Sequence, residues 1–400
     1  MKAPAHRPKI WMLIPTYHPV VGGAQTQVRR LSSLLKGRGW DVEILTRRHW
    51  MNHLPNVAAH EIVDGAAVTR LSSRGGVTSG SILYVLGGLW YLARFGQKGI
   101  YHAHDIGAAG WLAVMAARLF GGHSLLKFRT GRSSYEKRLD SLLGRRQLMA
   151  LLHKTDRAIV VNEAVYSLLI ALGAPAERVA FIPNAVDVDY FQPALPEEKR
   201  KARARLGLPA EQPVILYVGR LSHIKGVDIL LQAWALLSDA TRGGINLTLV
   251  GDGEERAGLE KLMVRLGIAD RVRLAGMQEN VRDYYWAADI LVLPSRQEGM
   301  SNVMMEAMGC GLPVLASATG GALDVIVDGK NGWLFETENP SRLCDALLRC
   351  LQERPRWYGM GREARLKVCE AADIEVIVEK LETIYRRLAC APGGGQSEAS

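Results

Sequence analysis

ILVLPSRQEGMSNVMMEAMGCG, residues 290–311, is a strand tip running directly into a helix start. Ile290 to Leu293 form a short apolar run of the kind a buried parallel strand shows, and Pro294 to Gly299 interrupt it. A helical pattern follows from about Ser301 to Met308, closed by Gly309 and Gly311. The free amide groups of that first helical turn, together with the helix dipole, favour an anion such as a diphosphate, and Gly299 lets a ligand approach the backbone closely. Met300 and Ser301 would contribute backbone N–H groups, so Met300 need not be polar. Glu306, on the same helix, can accept from a pair of sugar hydroxyls, while Glu298 precedes the helix and faces the same ligand. Two carboxylates at this spacing are common in any protein, and isolated surface carboxylates would fit the spacing equally well.

The strand-then-helix pattern repeats along the chain. Strands are expected at Ile10–Ile14, Val42–Leu45, Val68–Leu71, Ile100–His104, Ser124–Phe128, Ala158–Val161 and Val179–Ile182, then at Val214–Val218, Leu247–Val250, Val272–Leu274, Ile290–Leu293 and Pro313–Ala316. Alternation of this kind gives an α/β protein with parallel sheets and crossover helices. At 400 residues the chain exceeds one ordinary core. The period stops between Asn184 and Pro196, where Pro183, Pro193 and Pro196 punctuate it, so two doubly wound, Rossmann-like domains are expected to face a cleft. Residues 1–190 would form the N-terminal Rossmann-like domain and 191–372 the C-terminal one. A helix over 373–390 would pack back toward the first, and 391–400 would be a flexible tail. Ligands in such sheets bind outside the carboxyl ends of the strands.

A content of 48% hydrophobic and 22% charged residues is that of a globular protein. Residues 1–192 carry 24 Lys and Arg against 12 Asp and Glu, a net +12, whereas the remainder carries −2. This asymmetry points to an anionic surface or acceptor, or to a solvated basic face without a partner. Nucleic acid is not expected, because no basic stripe interleaved with aromatics accompanies the charge. Five late cysteines, odd in number and without a Cys-x-x-Cys pair, fit a reducing cytoplasm, and no signal-peptide pattern opens the chain. The apolar run Ile82–Phe95 is too short to span a bilayer. With Lys137, Arg138, Arg145 and Arg146 it would let the first domain attach at the inner face of the membrane, although such a run is more often a core helix.

PSRQEGMSNVMMEAMGCGLPVLASATGG closely resembles the signature of the family-4 retaining glycosyltransferases of the GT-B fold. The resemblance extends through GGAQTQVRRLSSLLKGRGWDVEILT, IPNAVDVDYFQP, VGRLSHIKGVDILLQAW and VGDGEERAGLEKL, nearly the whole chain. It implies transfer of a hexosyl-type sugar, with retention, from a nucleotide-diphosphate sugar to an acceptor hydroxyl in glycan, polysaccharide or glycolipid synthesis. By the same resemblance Glu306 would hold the nucleotide ribose, Gly299, Met300 and Ser301 the diphosphate, and Glu298 a hydroxyl of the donor sugar. Arg220 and Lys225, in the loop after the strand ending at Val218, suit a departing diphosphate, Arg through a bidentate fork and Lys as a point charge. Gly251, Asp252 and Gly253 resemble a dinucleotide fingerprint, but Arg256 stands at the third glycine position, so the match fails. The resemblance places that turn near the nucleotide base.

In the first half, Gly22 and Gly23 open a loop before the helix Ala24–Leu35, and by resemblance Gly23 approaches the donor phosphates, with Gln25 where many relatives have Glu. His104 can donate to a sugar hydroxyl or to the leaving phosphate; a buried imidazole satisfied by backbone is the plainer alternative. The family has a histidine there, close to the reacting carbon. A metal held by His102 and His104 is rejected, because only Asp105 lies nearby in sequence. Arg129 stands where many members have a second histidine, and with Lys127 and Arg132 it would meet a phosphate or carboxylate on an anionic or lipid-linked acceptor. Asp187-Val188-Asp189 spells the Asp-x-Asp of metal-dependent transferases of another fold, yet it lies in the linker, so neither a metal nor any other cofactor is expected. An epimerase or phosphorylase of the same fold, and a non-catalytic nucleotide-sugar-binding protein, are the alternatives.

Overall fold

The computed structural model describes residues 7–20, 22–48, 57–72, 77–96 and 98–391. The chain divides into two compact units, residues 1–183 with 375–400, and residues 184–374. In the first unit the strands are β1 Lys9–Leu13, β2 Val42–Arg47, β3 His60–Val63, β4 Ala66–Leu71, β5 Gly99–Ala103, β6 Gly122–Phe128, β7 Arg157–Val160 and β8 Val179–Phe181. They form one sheet in the order β3-β4-β2-β1-β5-β6-β7-β8, parallel apart from the β3–β4 pair. The central strands β1, β5 and β6 are buried along almost their whole length, because helices cover both faces, and so they read as continuous apolar runs.

The second unit holds β9 Val214–Val218, β10 Asn246–Val250, β11 Val272–Gly276, β12 Ile290–Leu293, β13 Val314–Ser317 and β14 Gly332–Phe335, all parallel, in the order β11-β10-β9-β12-β13-β14. Its core gathers Tyr217, Leu230, Trp234, Val292, Trp333 and Leu343. Both sheets are α/β and doubly wound, as the alternation of runs predicts. Two strands were not expected. β3 is short and largely exposed, joined to β4 by Asp64-Gly65 with both residues at positive φ, the two-residue hairpin that an Asp-Gly pair favours. β14 closes the far edge of the second sheet.

The expected boundary at 190 needs correction. The chain changes unit at Pro183/Asn184, because the segment that follows is tied to the second body. Asn184 Nδ2 donates to Met300 O at 2.9 Å, Val186 bridges to Asp373, and Arg365 donates to Val188 O and Phe191 O, each at 3.2 Å. Val186, Val188 and Phe191 are buried. The expected tail, from residue 392 on, lies outside the described residues.

From residue 375 onward the helix Ile374–Cys390 belongs to the first unit. Its buried positions Ile377, Val378, Leu381, Tyr385 and Leu388 follow a helical stripe. Two polar contacts fix its register: Trp40 Nε1 donates to Glu382 Oε1 at 2.7 Å, and Tyr385 Oη meets His102 Nδ1 at 2.8 Å. Tyr385 also packs edge-on against Trp40, with centroids 5.6 Å apart. Because the Tyr385 side chain is fully buried, Tyr385→Ala should cost about 3–5 kcal/mol in equilibrium urea unfolding, the range for removing a buried ring. A loss below about 1 kcal/mol would show that the helix does not dock through this residue.

Candidate functional site

In the second unit β9 lies between β10 and β12, so successive connections leave it in opposite directions. That is the switch point where doubly wound sheets open a crevice at their carboxyl ends. The loops after β9 and β12 meet there. Lys225 Nζ, at the end of the turn His223–Lys225, donates to Glu298 Oε2, and Ser295 Oγ reaches the same oxygen at 3.4 Å. Both members of the ion pair are about three-quarters or more buried, whereas Arg220 is exposed and makes no ion pair with a described residue.

Arg296 locks these loops together. Its guanidinium grips Asp228 with two bonds of 2.8 and 2.7 Å, donates to His223 O at 2.6 Å and meets Glu338 at 3.0 Å, while its backbone N–H donates to Ile224 O. Gly226, at φ 64°, fits between them because a Cβ there would stand 2.1 Å from Pro294 O. Gly320, at φ 51°, does the same beneath the second loop, where a Cβ would lie 2.0 Å from Glu298 O.

The helix Asn302–Gly309 begins one residue later than expected, with Ser301 as its N-cap; the Ser301 hydroxyl accepts from Met304 N at 3.3 Å. Gly299 O accepts from Gly321 N at 2.6 Å and Met300 O from Asn184 Nδ2. In trans peptides the carbonyl and the next N–H point oppositely, so tying these two carbonyls into the protein aims the Met300 and Ser301 amides the other way. They head a helix whose first-turn amides lack intrahelical partners. Glu306, buried on that helix, accepts from the Tyr285 hydroxyl at 3.0 Å. Three contributors escaped the sequence reading: Arg296, Asn184 and Tyr285. Arg296 sits inside the opening motif but looks like one more loop cation, and its partner Asp228 is distant in sequence.

In the first unit the corresponding switch point lies between β1 and β5. Gly22 caps the helix Gly23–Gly37 after β1, and Gln25 Nε2 ties back to Thr16 O at 3.1 Å. His104 follows β5 and is 2% exposed, and its Nε2 is buried without a hydrogen-bond partner. Its ring stacks on His102, with centroids 4.2 Å apart. Burial holds both imidazoles neutral. It pushes His102 down to about 3 and His104 well below its usual value, with the Lys127 charge adding in each case. Burial likewise pushes the Lys127 amine down to about 8, helped by Arg129. The three cations expected at the acceptor do not gather as free charges. Lys127 is buried in β6, Arg129 pairs with Asp105 at 3.1 Å, and Arg132 pairs with Glu136 along its own helix at 2.7 Å.

Among the described residues no three His, Cys, Asp or Glu side chains gather as a metal site requires. The Asp187 carboxylate instead accepts from Tyr190 N at 2.8 Å, closing a turn. No helix of the described residues is long and apolar enough to cross a membrane.

A family model described as Glycosyltransferase Family 4 matches residues 21–190, and one described as Glycosyl transferases group 1 matches residues 198–367. The chain is 30% identical over 373 residues to a D-inositol 3-phosphate glycosyltransferase of Xylanimonas cellulosilytica, covering 86% of this chain and 85% of the relative. Sucrose-phosphate synthase from Thermosynechococcus elongatus matches in structure with a TM-score of 0.85 at 26% identity, over 96% of this chain and 100% of that one. Anabaena HepE in complex with UDP-glucose matches at 0.77 and 20% identity, over 95% and 100%. The chain belongs to the family-4 glycosyltransferases, with the GT-B fold.

The histidine pair carries a pH signature. Below about pH 6.5 the unfolded chain protonates each imidazole, whereas folded His102 waits until about 3. The contribution of His102 to stability is therefore complete above about pH 6.5 and is lost as pH falls toward 3, and His104, also held below its usual value by burial, acts in the same direction. NMR of histidine-labelled protein should show two imidazoles that do not titrate between pH 8 and 5, and that vanish from the spectrum in His102→Gln and His104→Gln. A midpoint near 6.5 for either would contradict the burial assigned to it.

Proposed function

We propose that this glycosyltransferase moves a hexosyl-type sugar from a nucleotide-diphosphate donor to an acceptor hydroxyl, with retention and without a metal ion. The observation that carries the reading is the convergence at the β9/β12 switch point. Lys225, Glu298 and the outward-aimed amides of Met300 and Ser301 stand there together, with Arg220 on the loop after β9. The cations and amides would stabilise the negative charge that grows on the diphosphate as the glycosidic bond breaks, so no metal is required for that task. Glu306 would hold the ribose hydroxyls, its carboxylate oriented by Tyr285, and Glu298 would accept from a hydroxyl of the sugar. Gly22 and Gly23 would approach the phosphates. His104, neutral and with an unmet Nε2, would donate to the sugar or to the leaving oxygen. The HepE complex with UDP-glucose supports a nucleotide sugar as donor, and relatives named for D-inositol 3-phosphate support a phosphorylated acceptor near Lys127, Arg129 and Arg132.

A panel of UDP-, GDP- and ADP-sugars should yield one donor that is transferred, with the product keeping the donor's anomeric configuration by NMR and the rate unchanged by EDTA. On that donor, Lys225→Ala and Glu306→Ala should each lower kcat/KM, Lys225→Ala by about 100- to 1,000-fold, as for loss of one preorganised electrostatic contact. Near-normal turnover in both would sink the assignment.

A membrane surface is the second part of the proposal. The helix Val77–Phe95 is not wholly a core element. It buries Tyr84 and Leu92 yet exposes Ile82, Leu83, Leu86 and Trp90 along one stripe. The neighbouring helix Ala108–Phe120 exposes Leu119, and Leu142 and Leu143 are exposed beside Arg145 and Arg146. Exposed apolar side chains and exposed cations in one unit suit an anionic bilayer interface. The protein should co-sediment with phosphatidylglycerol vesicles, and Leu86→Glu with Trp90→Glu should lower bound protein about tenfold. Equal binding to phosphatidylcholine vesicles, or none to either, would count against it.

A further inference from the structure

A cavity of about 380 Å³ lies at the amino ends of β6, β7 and β8, the opposite edge of the first sheet from His104 and Arg129. The seven residues of β6 alone separate the two edges by roughly 20 Å at ~3.3 Å per residue. The volume is within the roughly 300–1,000 Å³ of small-molecule sites. Arg118, Lys154, Arg157, Arg178 and Arg387 line it, and none makes an ion pair or side-chain hydrogen bond with a described residue. Among the described residues Asp156 and Glu177 are the only carboxylates in the lining, so its five cations less two carboxylates leave +3. Asp156 is already committed, accepting from Ser124 N at 2.7 Å and Ser124 Oγ at 2.8 Å.

Some arginines elsewhere in the chain are fastened in place. Arg203 and Arg296, for instance, are each held by a carboxylate and by backbone carbonyls. Five unpaired cations around one concavity repel one another at a cost that a bound anion would remove. The carbonyl ends of helices account for part of the cluster, since Arg118, Lys154 and Arg387 stand in the last turns of their helices. That explanation does not reach Arg157, which opens β7, or Arg178, at the end of a short turn before β8. His123 adds an independent sign. It is 6% exposed, lines the same cavity, and its imidazole has no hydrogen-bond partner among the described residues.

We infer that this cavity is a second anion-binding site, separate from the sugar-transfer site, and that it takes a phosphate-bearing group of more than one negative charge. Such a group can be a free phosphorylated metabolite or a lipid headgroup presented by a membrane. Both offer several acceptor oxygens to Arg157 and Arg178 and one to the His123 ring.

Isothermal titration with inorganic pyrophosphate, in protein carrying Lys225→Ala to weaken the donor site, should show binding that becomes about a hundredfold weaker when Arg157→Glu and Arg178→Glu are added. His123→Phe, which leaves permanent charge unchanged, should weaken it about tenfold, and Arg157→Lys with Arg178→Lys should retain it within a few-fold. If pyrophosphate does not bind but sedimentation with phosphatidic acid vesicles is lost in both the Arg157→Glu/Arg178→Glu and the His123→Phe proteins, the anion is a headgroup. Pyrophosphate and vesicle binding that are both absent, or both indifferent to these substitutions, would overturn the inference.

Discussion

A parallel sheet covered on both faces by helices leaves little room for polar chemistry in its interior, because most side chains along its central strands are buried among apolar neighbours. Polar function is pushed to the strand ends, and at the switch points the departing loops leave a gap instead of closing over one another. The rest of the candidate site follows from this constraint. At β9/β12 the chain must hold two loops that its topology sends apart. It does so with charge: the Arg296–Asp228 fork and the Lys225–Glu298 pair cross the gap in parallel.

These two pairs have different work. Arg296 is satisfied on nearly all sides by acceptors of fixed geometry, which makes it a fastener with little capacity left for a ligand. Among the described residues Lys225 has a single carboxylate partner at its ammonium, and a lysine carries three rotatable donors, so it retains capacity for an incoming anion. Arg220 is exposed without an ion pair among the described residues. Under the proposed reading, resting-state pairing with Glu298 keeps Lys225 extended toward the crevice. The charge is positioned before any ligand arrives, and this preorganisation is what makes a fixed cation effective on a developing negative charge.

Much of this organisation is legible in the chain itself. Long apolar runs such as Ile10–Ile14 and Val214–Val218 announce buried parallel strands because burial on both faces removes the alternation that would otherwise blur them. The hairpin strand β3 escapes for the opposite reason. HEIV is mostly exposed and carries no apolar run, although the Asp64-Gly65 turn beside it was a usable signal. Asn184 was read as linker because its role depends on a carbonyl at Met300, far along the chain, and no local pattern encodes that. Tyr285 and Asp228 are invisible for the same reason. Local periodicity specifies elements, whereas the partners of a polar side chain are specified only once the sheet order is known.

The first unit shows the same constraint acting at both ends of one sheet, with opposite electrostatic results. At the carboxyl ends, burial keeps His102 and His104 uncharged, and the nearby Lys127 and Arg129 push in the same direction, so the imidazoles there act as neutral hydrogen-bonding groups. The helix Ile374–Cys390 takes part through Tyr385, which occupies His102 Nδ1 and thereby limits the orientations open to the stacked pair. At the amino ends four of the five cations are exposed, and none of the five makes an ion pair with a described residue. A neutral ring with an unmet nitrogen suits a hydroxyl or a phosphate oxygen held in place by other contacts, whereas a cluster of unpaired cations can itself supply the attraction that captures an anion. The two ends of the sheet are therefore chemically distinct, and the difference arises from how deeply each end is buried.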